Sequence, residues 1–357
     1  MSKLKAAVVR PSELTDHEIN LWRSYLASKP GIAPAFMSHA YALAAQQCFM
    51  GVRVAKLELS GKTVGFFPFQ FRSRLHRLMR IGQRVSGDLA DYFGVVGSPD
   101  LRLTGAELLQ AIGINSLLFD HLDETQLSFG LVGTQTEPGL RIAFPEGGAA
   151  YWDFMRSHDK KFVQDTERRE RKLVETHGAL RFVFRHESPA AELENLISAK
   201  RQQYDRTGAL DVLARATTRN FLKILSGVDD PHCRSTLSTL HAGDKWICSH
   251  FGLTSADTLH FWFPVYNPEM KAFAPGRLLI KAIIDSAHES GVKLIDRGAG
   301  DSQAKRDFAT SEHLYYRGVW QRRGVVSLAY RAGLSTKWRM HNWQKRRRPA
   351  AAAGRFS

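Results

Sequence analysis

The sequence is poor in cysteine, in long apolar runs and, toward its C-terminal end, in acidic residues. The three cysteines, Cys48, Cys233 and Cys248, show no paired spacing, which excludes a disulfide framework and a cysteine-based zinc site. No apolar stretch approaches the ~18 residues that a membrane-spanning helix needs. The histidines show no ligand-like spacing, and the opening residues lack the features of a signal peptide. We therefore expect a cytoplasmic protein without a metal site.

Positive charge is concentrated at the C-terminal end. Residues 313–357 contain no Asp or Glu and carry +11 of the formal net charge of +15, which leaves +4 on the rest. The body of the protein therefore lacks the basic surface of a nucleic-acid-binding domain. In the tail, Leu334, Trp338 and Trp343 alternate with cations, a pattern that suits peripheral contact with an anionic inner-membrane surface. A disordered, solubilising tail is the alternative, and contact with RNA is the third.

The two halves of the chain repeat one order of predicted elements. A strand, two helices, antiparallel strands, a further helix and a closing strand follow one another in each half, and a length of 357 residues also favours two domains. In the first half we predict a helix near 105–121, a strand over 126–133 and a Gly/Pro-rich linker over 134–148. The predicted divisions are 1–148, a charged linking helix at 149–178, a second domain at 179–325 and a basic tail at 326–357.

The charged linking segment is predicted to be one long helix, about 151–177. Its positive and negative charges nearly cancel, which is typical of a solvated helix with i,i+4 ion pairs. Alternatively, Lys161, Arg168 and Arg169 clamp a phosphate-bearing substrate.

A second helix is predicted directly after the strand 258–266. Pro275 and Gly276 open it and Gly291 closes it. The free N–H groups of such a helix start form an anion site, which suits the pyrophosphate of a nucleotide-like carrier such as coenzyme A.

The strand before this helix, TLHFWFPVY, has side chains on two predicted faces. Leu259, Phe261, Phe263 and Val265 share one face, and His260, Trp262 and Tyr266 share the other. A bulge or an unpaired edge is expected at Pro264, which cannot donate to a ladder. His260 suits a general base, and it also suits a buried structural histidine. Trp262 and Tyr266 either stack on a sugar ring or fill the core.

Acidic and basic side chains surround a glycine-rich turn after the next strand. Asp296 and Asp301 flank the two glycines of DRGAGD, and Lys305 follows four residues later. These residues either line a substrate cleft or form a helix cap with an i,i+4 pair. On the helix before Gly208, Lys200, Gln203 and Arg206 share one face, either toward a ligand or toward solvent.

Together, the element order and these motifs resemble the GNAT acyltransferases. The run from the Lys200/Gln203/Arg206 helix through FGL, LHFWFPVYNP, APGRLL and the Asp-x-Gly-x-Gly-Asp-type ending is similar to the FemAB-like, CelD-type branch, which is associated with cellulose and exopolysaccharide biosynthesis. The stretch Asp91-Tyr92-Phe93-Gly94 also fits that branch. The usual pyrophosphate loop, Arg/Gln-x-x-Gly-x-Gly/Ala, is shortened here to Phe273-Ala274-Pro275-Gly276-Arg277.

The resemblance implies an α/β (α+β) fold of tandem GNAT-like domains, each a mostly antiparallel sheet flanked by helices. It also implies roles for residues. The expected catalytic residues are His260, Asp301 and Lys305. The expected carrier-binding residues are Phe263, Val265, Ala274, Pro275, Gly276 and Arg277. The expected substrate-binding residues are Asp91, Tyr92, Lys161, Arg168, Arg169, Lys200, Gln203, Arg206, Trp262, Tyr266 and Asp296.

The predicted function is N-acyl transfer from acyl-CoA, with acetyl-CoA as the expected co-substrate, to an amine of a sugar or polysaccharide precursor. One alternative is Fem-type transfer from aminoacyl-tRNA, against which the modest charge of the body argues. Another is a non-catalytic accessory protein of a polysaccharide synthase.

Overall fold

Alternating apolar residues and helix caps define the elements of the first half. The computed structural model describes residues 3–28 and 34–322, so the predicted basic tail at 326–357 lies outside the described residues. The elements of the first half are β1 (Lys5–Val9), α1 (Asp16–Ala27), α2 (His39–Cys48), β2 (Val52–Leu59), β3 (Lys62–Gln70), α3 (Arg74–Leu78), β4 (Ile81–Gln83), β5 (Val96–Gly97), α4 (Gly105–Ile112), β6 (Ser116–Asp123) and β7 (Gln135–Ala143).

The second half repeats this order after two connecting helices. The connecting helices are α5 (Gly148–His158) and α6 (Lys160–His177). The elements that follow are β8 (Leu180–Val183), α7 (Ala190–Thr207), α8 (Ala216–Ser226), β9 (Asp229–Asp230), β10 (Cys233–Ala242), β11 (Lys245–Ser255), β12 (Thr258–Tyr266), α9 (Pro275–Asp285), α10 (Ala287–Ser290), β13 (Leu294–Ala299), α11 (Gln303–Arg306) and β14 (Ser311–Gln321).

All strands of the described residues join one 14-stranded sheet. Its order is β1-β2-β3-β4-β6-β14-β7-β13-β12-β11-β10-β8, with β5 beside β3 and β9 beside β10. The pairs are mostly antiparallel, and the exceptions, β4 with β6 and β12 with β13, occupy corresponding positions in the two halves. The sheet is therefore continuous and still carries the repeat that the order of elements predicted.

The last strand of each half is exchanged with the other half. The strand β7 follows the first half in sequence but pairs with β13, and β14 follows the second half but pairs with β6. The two exchanged strands also pair with each other, in register from Ser311/Arg141 to Arg317/Gln135. As a result, the predicted boundary near residue 148 does not divide the sheet into two separate sheets. The domain limits themselves stay a prediction.

Apolar side chains fill three regions around this sheet. Phe67, Leu108 and Trp320 belong to the region beneath α4 in the first half. Ile247, Leu279 and Phe308 belong to the region under α5, α6 and α9. A third region combines residues of both halves, including Trp22, Tyr41, Phe221 and Phe251. Each fully buried large side chain contributes on the order of 2 kcal/mol through the hydrophobic effect, so this shared region holds the halves together.

The predicted helix near 105–121 is shorter than expected. Gly113 adopts the left-handed conformation, with φ 71°, and ends α4 at Ile112. The residues that follow alternate as a strand, β6, rather than continuing the helix. The predicted strand over 126–133 is also wrong, because Glu124–Phe129 form a 3-10 helix that Asp123 caps.

The predicted linker over 134–148 is instead mostly the central strand β7. Its glycine and proline favoured a loop, but both are accommodated in a strand that has partners on each side. The carbonyl oxygen of Pro138 accepts a bond from the Gly300 N–H at 2.8 Å. Gly139 is required because a Cβ there would lie 2.4 Å from His313 Cε1 and 2.6 Å from Tyr315 Cε2.

The single linking helix predicted over 151–177 is two helices with a break at Asp159. This residue has φ −141° and ψ 72°, outside the helical region, and its side chain accepts a bond from the Phe162 N–H at 2.9 Å. An N-cap of this kind satisfies an orphan donor and begins a new helix. The change of direction lets α5 and α6 both pack on α9.

We expect Gly139→Ala to destabilise the protein by about 1–3 kcal/mol, because the added methyl group overpacks the junction of β7 and β14. The midpoint of urea unfolding measures the change. Gly276→Ala is the matched control, since a Cβ there has no atom within 4 Å. Equal midpoints for the two variants would show that the centre of the sheet tolerates a wider separation of these strands.

Candidate functional site

A cleft opens where two parallel strands of the second half part. The pairing of β12 with β13 runs from Thr258/Leu294 to His260/Asp296 and then ends. Beyond that point β12 continues against β11 as far as Cys248/Tyr266, while β13 continues against β7 as far as Ala299/Gly139. The two strands therefore diverge after His260 and Asp296, which leaves a gap between β12 and β13.

A bulge in β12 lies at the mouth of this gap. The register with β11 shifts between Phe251/Phe263 and Leu253/His260, so the bulge includes Phe261 and Trp262 and not Pro264. Pro264 lies instead on an edge of β12 that β13 no longer pairs, which was the other predicted possibility. His250 Nε2 accepts a bond from the Trp262 N–H at 3.3 Å, and burial lowers the pKa of His250 to about 3. A neutral histidine thus stabilises the bulge.

The bulge changes which side chains share a face of β12. Leu259 and Phe261 pack toward α9, whereas Phe263 and Val265 pack into the region shared by the halves, so the predicted four-residue face is wrong. Trp262 also packs into that shared region, and Tyr266 packs on the α9 side. The side chains of Phe263 and Val265 are buried, so they would meet a carrier only through their backbone.

The start of α9 lies beside β11, through a contact of the Pro275 carbonyl with Cys248 Sγ, and it has no side-chain cap. Ala274 precedes it in the left-handed conformation, with φ 51° and ψ 57°. Pro275 has no N–H, and the Arg277 N–H bonds to the Ala274 carbonyl at 2.9 Å. Around Gly276 there is open space, since a Cβ there has no atom within 4 Å. An exposed helix start of this kind attracts anions.

Arginines surround the start of α9 in excess of their acidic partners. Asp165 accepts bonds from Arg168 at 2.6 Å, from Arg169 at 2.7 Å and from Arg277 at 3.2 Å. Because one carboxylate faces three guanidinium groups, net positive charge remains, even with Asp307 at 3.5 Å from Arg277. Those hydrogen bonds lower the pKa of Asp165, so it stays ionised.

Asp296 is the centre of a buried polar cluster at the point of divergence. Its Oδ1 accepts from the Gly298 N–H at 2.9 Å and so fixes the glycine-rich turn. Its Oδ2 lies 3.3 Å from His260 Nδ1 and accepts a hydrogen bond from Tyr92. Burial raises the pKa of Asp296, but the hydrogen bond from His260 and the positive charge of Arg141 hold it below its ordinary value.

His260 is bonded on both ring nitrogens. Its Nε2 accepts from the Ala35 N–H at 3.4 Å, which leaves the proton on Nδ1, facing Asp296. Its side chain is 2% exposed and packs edge-on against the rings of Phe36 and Tyr92. Such a histidine can orient Asp296, but it does not reach solvent.

Residues of the first half complete the cluster. Burial, together with the charge of Asp296, raises the pKa of Tyr92 well above its usual value, so its hydroxyl remains a donor. Arg141 Nη2 lies 3.3 Å from the Tyr92 hydroxyl and 3.1 Å from Asp123 Oδ2. Charges and hydrogen bonds therefore cross the junction between the halves.

Asp91 and Lys305 lie at the rim of the same cluster. The Asp91 carboxyl is 29% exposed, 4.0 Å from His121 Nε2, and it faces Gly298. Burial raises the pKa of Asp91 despite the opposing charges of His121 and Arg84. Lys305 Nζ donates to the carbonyls of Ala299 at 2.7 Å and Gly298 at 3.2 Å, and burial lowers its pKa.

The remaining predicted site residues lie apart from this cluster. Asp301 forms its ion pair with Arg306 on the surface. Lys161 and Arg206 are exposed, and Gln203 is half-buried on α7. Lys200 is buried, and its Nζ donates to the Pro264 carbonyl at 2.6 Å, beyond the last β12–β13 pair.

Sequence reasoning missed several members of the cluster. Arg141 and His313 lie on the exchanged strands, and Asp123 ends β6 beside them. Arg141 falls within the predicted linker, and Asp123 follows the segment predicted as a helix. The detectable signal was the polar ending Asp120-His121-Leu122-Asp123 after an apolar run, which is typical of residues at the end of a buried strand.

Residues 160–306 match the family described as an acetyltransferase (GNAT) domain. This part of the chain is therefore similar to a GNAT domain. The matched residues include α6, the diverging strands β12 and β13, and the start of α9. The enzyme class is that of an acyltransferase, as predicted. No curated protein matches the chain at a significant level of sequence similarity.

Two solved structures share the fold over most of the chain. The structure titled FemX is 9% identical, covers 88% of this chain and 96% of its own, and has a TM-score of 0.57. A conserved protein of unknown function from Bacteroides thetaiotaomicron is 9% identical, covers 88% of this chain and 99% of its own, and has a TM-score of 0.52. At such identities the likeness shows the fold alone. The predicted mixed α/β fold of tandem GNAT-like halves is confirmed.

No helix in residues 3–28 or 34–322 is long and apolar enough to cross a membrane.

The buried Lys200 predicts a pH dependence of stability. Burial lowers its pKa in the folded protein to about 8, below the ~10.4 of an unfolded chain. Between these values the unfolded state binds more protons, so the free energy of unfolding rises with pH. From pH 7.5 to 9.5 we expect a gain of about 2 kcal/mol relative to Lys200→Met, measured by urea unfolding. Parallel pH profiles for the two proteins would mean that the Lys200 ammonium stays solvated.

Proposed function

We propose that this protein transfers an acyl group from acyl-CoA to the amine of a sugar or polysaccharide precursor. The observation that carries the proposal is the difference between the two corresponding helix starts. In the first half, Thr104 caps α4 and Glu107 places a negative charge there. In the GNAT domain α9 has no side-chain cap and is flanked by the arginine excess around Asp165. Only the second start suits a pyrophosphate.

The carrier would enter the gap between β12 and β13. Its pyrophosphate would bind at Gly276, beside Arg277 and Arg169, and its thioester end would reach the bulge at Phe261 and Trp262. The acceptor would approach from the first half, where the Asp91 carboxyl is partly accessible. These proposed positions of carrier and acceptor follow the geometry of the gap, and none of them requires a metal.

In the transfer step the amine nitrogen attacks the thioester carbonyl carbon. The C–N bond forms, the C–S bond breaks, and the coenzyme A thiolate leaves. We assign the proton released by the amine to Asp91, whose raised pKa makes it a better proton acceptor than an ordinary carboxylate. Lys305 offers positive charge beside the developing oxyanion. His260, predicted as the base, acts instead by orienting Asp296 and Tyr92.

The finer parts of the proposal concern the biological setting. The CelD-type resemblance supports a polysaccharide-related acceptor, and the basic tail at 326–357 supports peripheral contact with the inner membrane surface in the cytoplasm. The second candidate function is Fem-type aminoacyl transfer, which the fold similarity to FemX supports. Binding of acetyl-CoA distinguishes the two.

We expect Gly276→Asp to weaken acetyl-CoA binding at least tenfold, because it places a carboxylate against the pyrophosphate. The open space around Gly276 and the helix dipole both accommodate Asp, so the thermal midpoint should not fall. Isothermal titration calorimetry measures the affinity, and Gly276→Ala, with no charge, should bind like the parent. Unchanged binding by Gly276→Asp would move the carrier site elsewhere, and no binding by the parent would favour the Fem-type alternative.

We expect Asp91→Asn to reduce acetyl transfer to amino sugars by at least tenfold, since the variant cannot accept the proton of the amine. Release of the free coenzyme A thiol measures the rate, and acetyl-CoA affinity should stay at the parental value. Asp301→Asn is the matched control, because its carboxylate pairs with Arg306 on the surface. If only Asp301→Asn lost transfer activity, Asp301 would be the proton acceptor and Asp91 would have no part in that step.

A further inference from the structure

A groove on the first half is lined by arginines and by no acidic side chain. It encloses about 450 Å³ where the end of α2, the start of β2 and the end of β3 meet α3. Arg10, Arg53, Arg74 and Arg77 contribute its charged side chains. These elements all precede the GNAT domain, whose matched residues begin at 160.

The backbone around the groove is fixed by local interactions. Gly51 adopts a positive φ of 78°, and a Cβ there would lie 2.7 Å from the Phe71 carbonyl oxygen. The Phe71 N–H donates to the Gly51 carbonyl at 3.1 Å. Ser73 caps α3 through the His76 N–H at 3.2 Å and bonds to His76 Nδ1 at 2.7 Å. The arginines therefore project from a defined frame and not from a loose loop.

The positive charge of the groove is not neutralised by the protein. Arg53 is half-buried and donates to the Val52 carbonyl at 2.7 Å, and no ion pair joins Arg53, Arg74 or Arg77 to an acid within residues 3–28 and 34–322. Arg10 lies 3.8 Å from Glu13, but both are more than half exposed, so that pair is weak.

The guanidinium groups also repel one another. Burial lowers the pKa of Arg53, and the charges of Arg77 and Arg10 lower it further, against a smaller opposing effect of Glu13. Like charges held together in a partly buried groove cost free energy that a bound anion would recover. The planar guanidinium fork suits the oxygens of a phosphate group.

Apolar side chains are exposed beside the arginines. Met50, which lines the groove, is 53% exposed, and Leu75 and Leu78 on α3 are 59% and 80% exposed. Exposed apolar residues next to a cationic groove suit a phosphate that is attached to an apolar group, as in a lipid headgroup.

We propose that this groove binds a phosphate monoester through Arg53, Arg74 and Arg77. The ester is carried either by a lipid, with its chains against Met50, Leu75 and Leu78, or by a soluble sugar or glycerol phosphate. This site is separate from the start of α9, and acyl-CoA binding does not depend on it.

The test compares three forms of the full chain: the parent, the double variant Arg53→Gln/Arg77→Gln, and the control Arg215→Gln. Arg215 is exposed and forms no ion pair within the described part of the chain. Calorimetric titration with glycerol 3-phosphate tests the soluble source. Co-sedimentation with phosphatidylcholine vesicles, with and without phosphatidic acid, tests the lipid source. Acetyl-CoA titration verifies that the second half is intact in each protein.

We expect the double variant to bind at least one of the two phosphate probes at least tenfold more weakly than the parent, while the control matches the parent. Loss of binding to vesicles alone identifies a lipid, and loss for glycerol 3-phosphate alone identifies a soluble ester. The basic tail is present in all three proteins, so it cannot produce a difference among them. Failure of the parent to bind either probe, or equal binding by the double variant, overturns the proposal.

Discussion

The Asp296 carboxylate is the interaction on which the rest of the site depends. It lies at the last residue pair before β12 and β13 part, and it bonds to His260 on one strand and to the Gly298 N–H of the turn. It also accepts from Tyr92 of the first half. A buried carboxylate is stable only when such partners satisfy it. The partners of the buried Asp296 charge are therefore complete only when β12 and β13 part at this residue and the two halves are joined.

The exchange of β7 and β14 gives this carboxylate its surroundings. Arg141 is opposite Asp296 in the register of β7 with β13, so the exchanged strand brings a cation from the first half to the acid of the second. His313 lies opposite Gly139 in the next pairing. Neither residue could reach Asp296 if each half closed its own sheet. The strand exchange that joins the two halves therefore also assembles the cluster around Asp296.

Local patterns were sufficient to predict most elements and part of the site. Caps, hairpins and the Pro275-Gly276 helix start were evident from neighbouring residues. Asp91 and Tyr92 were expected from the family resemblance, and the structure places them beside Asp296 and its turn; their roles stay a prediction. What failed depended on distant partners. A Gly- and Pro-containing segment becomes a strand only when β13 and β14 supply its hydrogen bonds, and the bulge in β12 follows from its register with β11. Neither partner is encoded in the segment itself.

Strand exchange also constrains the order of folding on the ribosome. The strand β7 emerges early, but its partners β13 and β14 are more than a hundred residues later in the chain. Until they are made, β6 and β7 present unpaired edges, which are the surfaces most prone to wrong association. Such long-range pairing is slow. The first half therefore cannot complete its sheet until the strands of the second half have been synthesised.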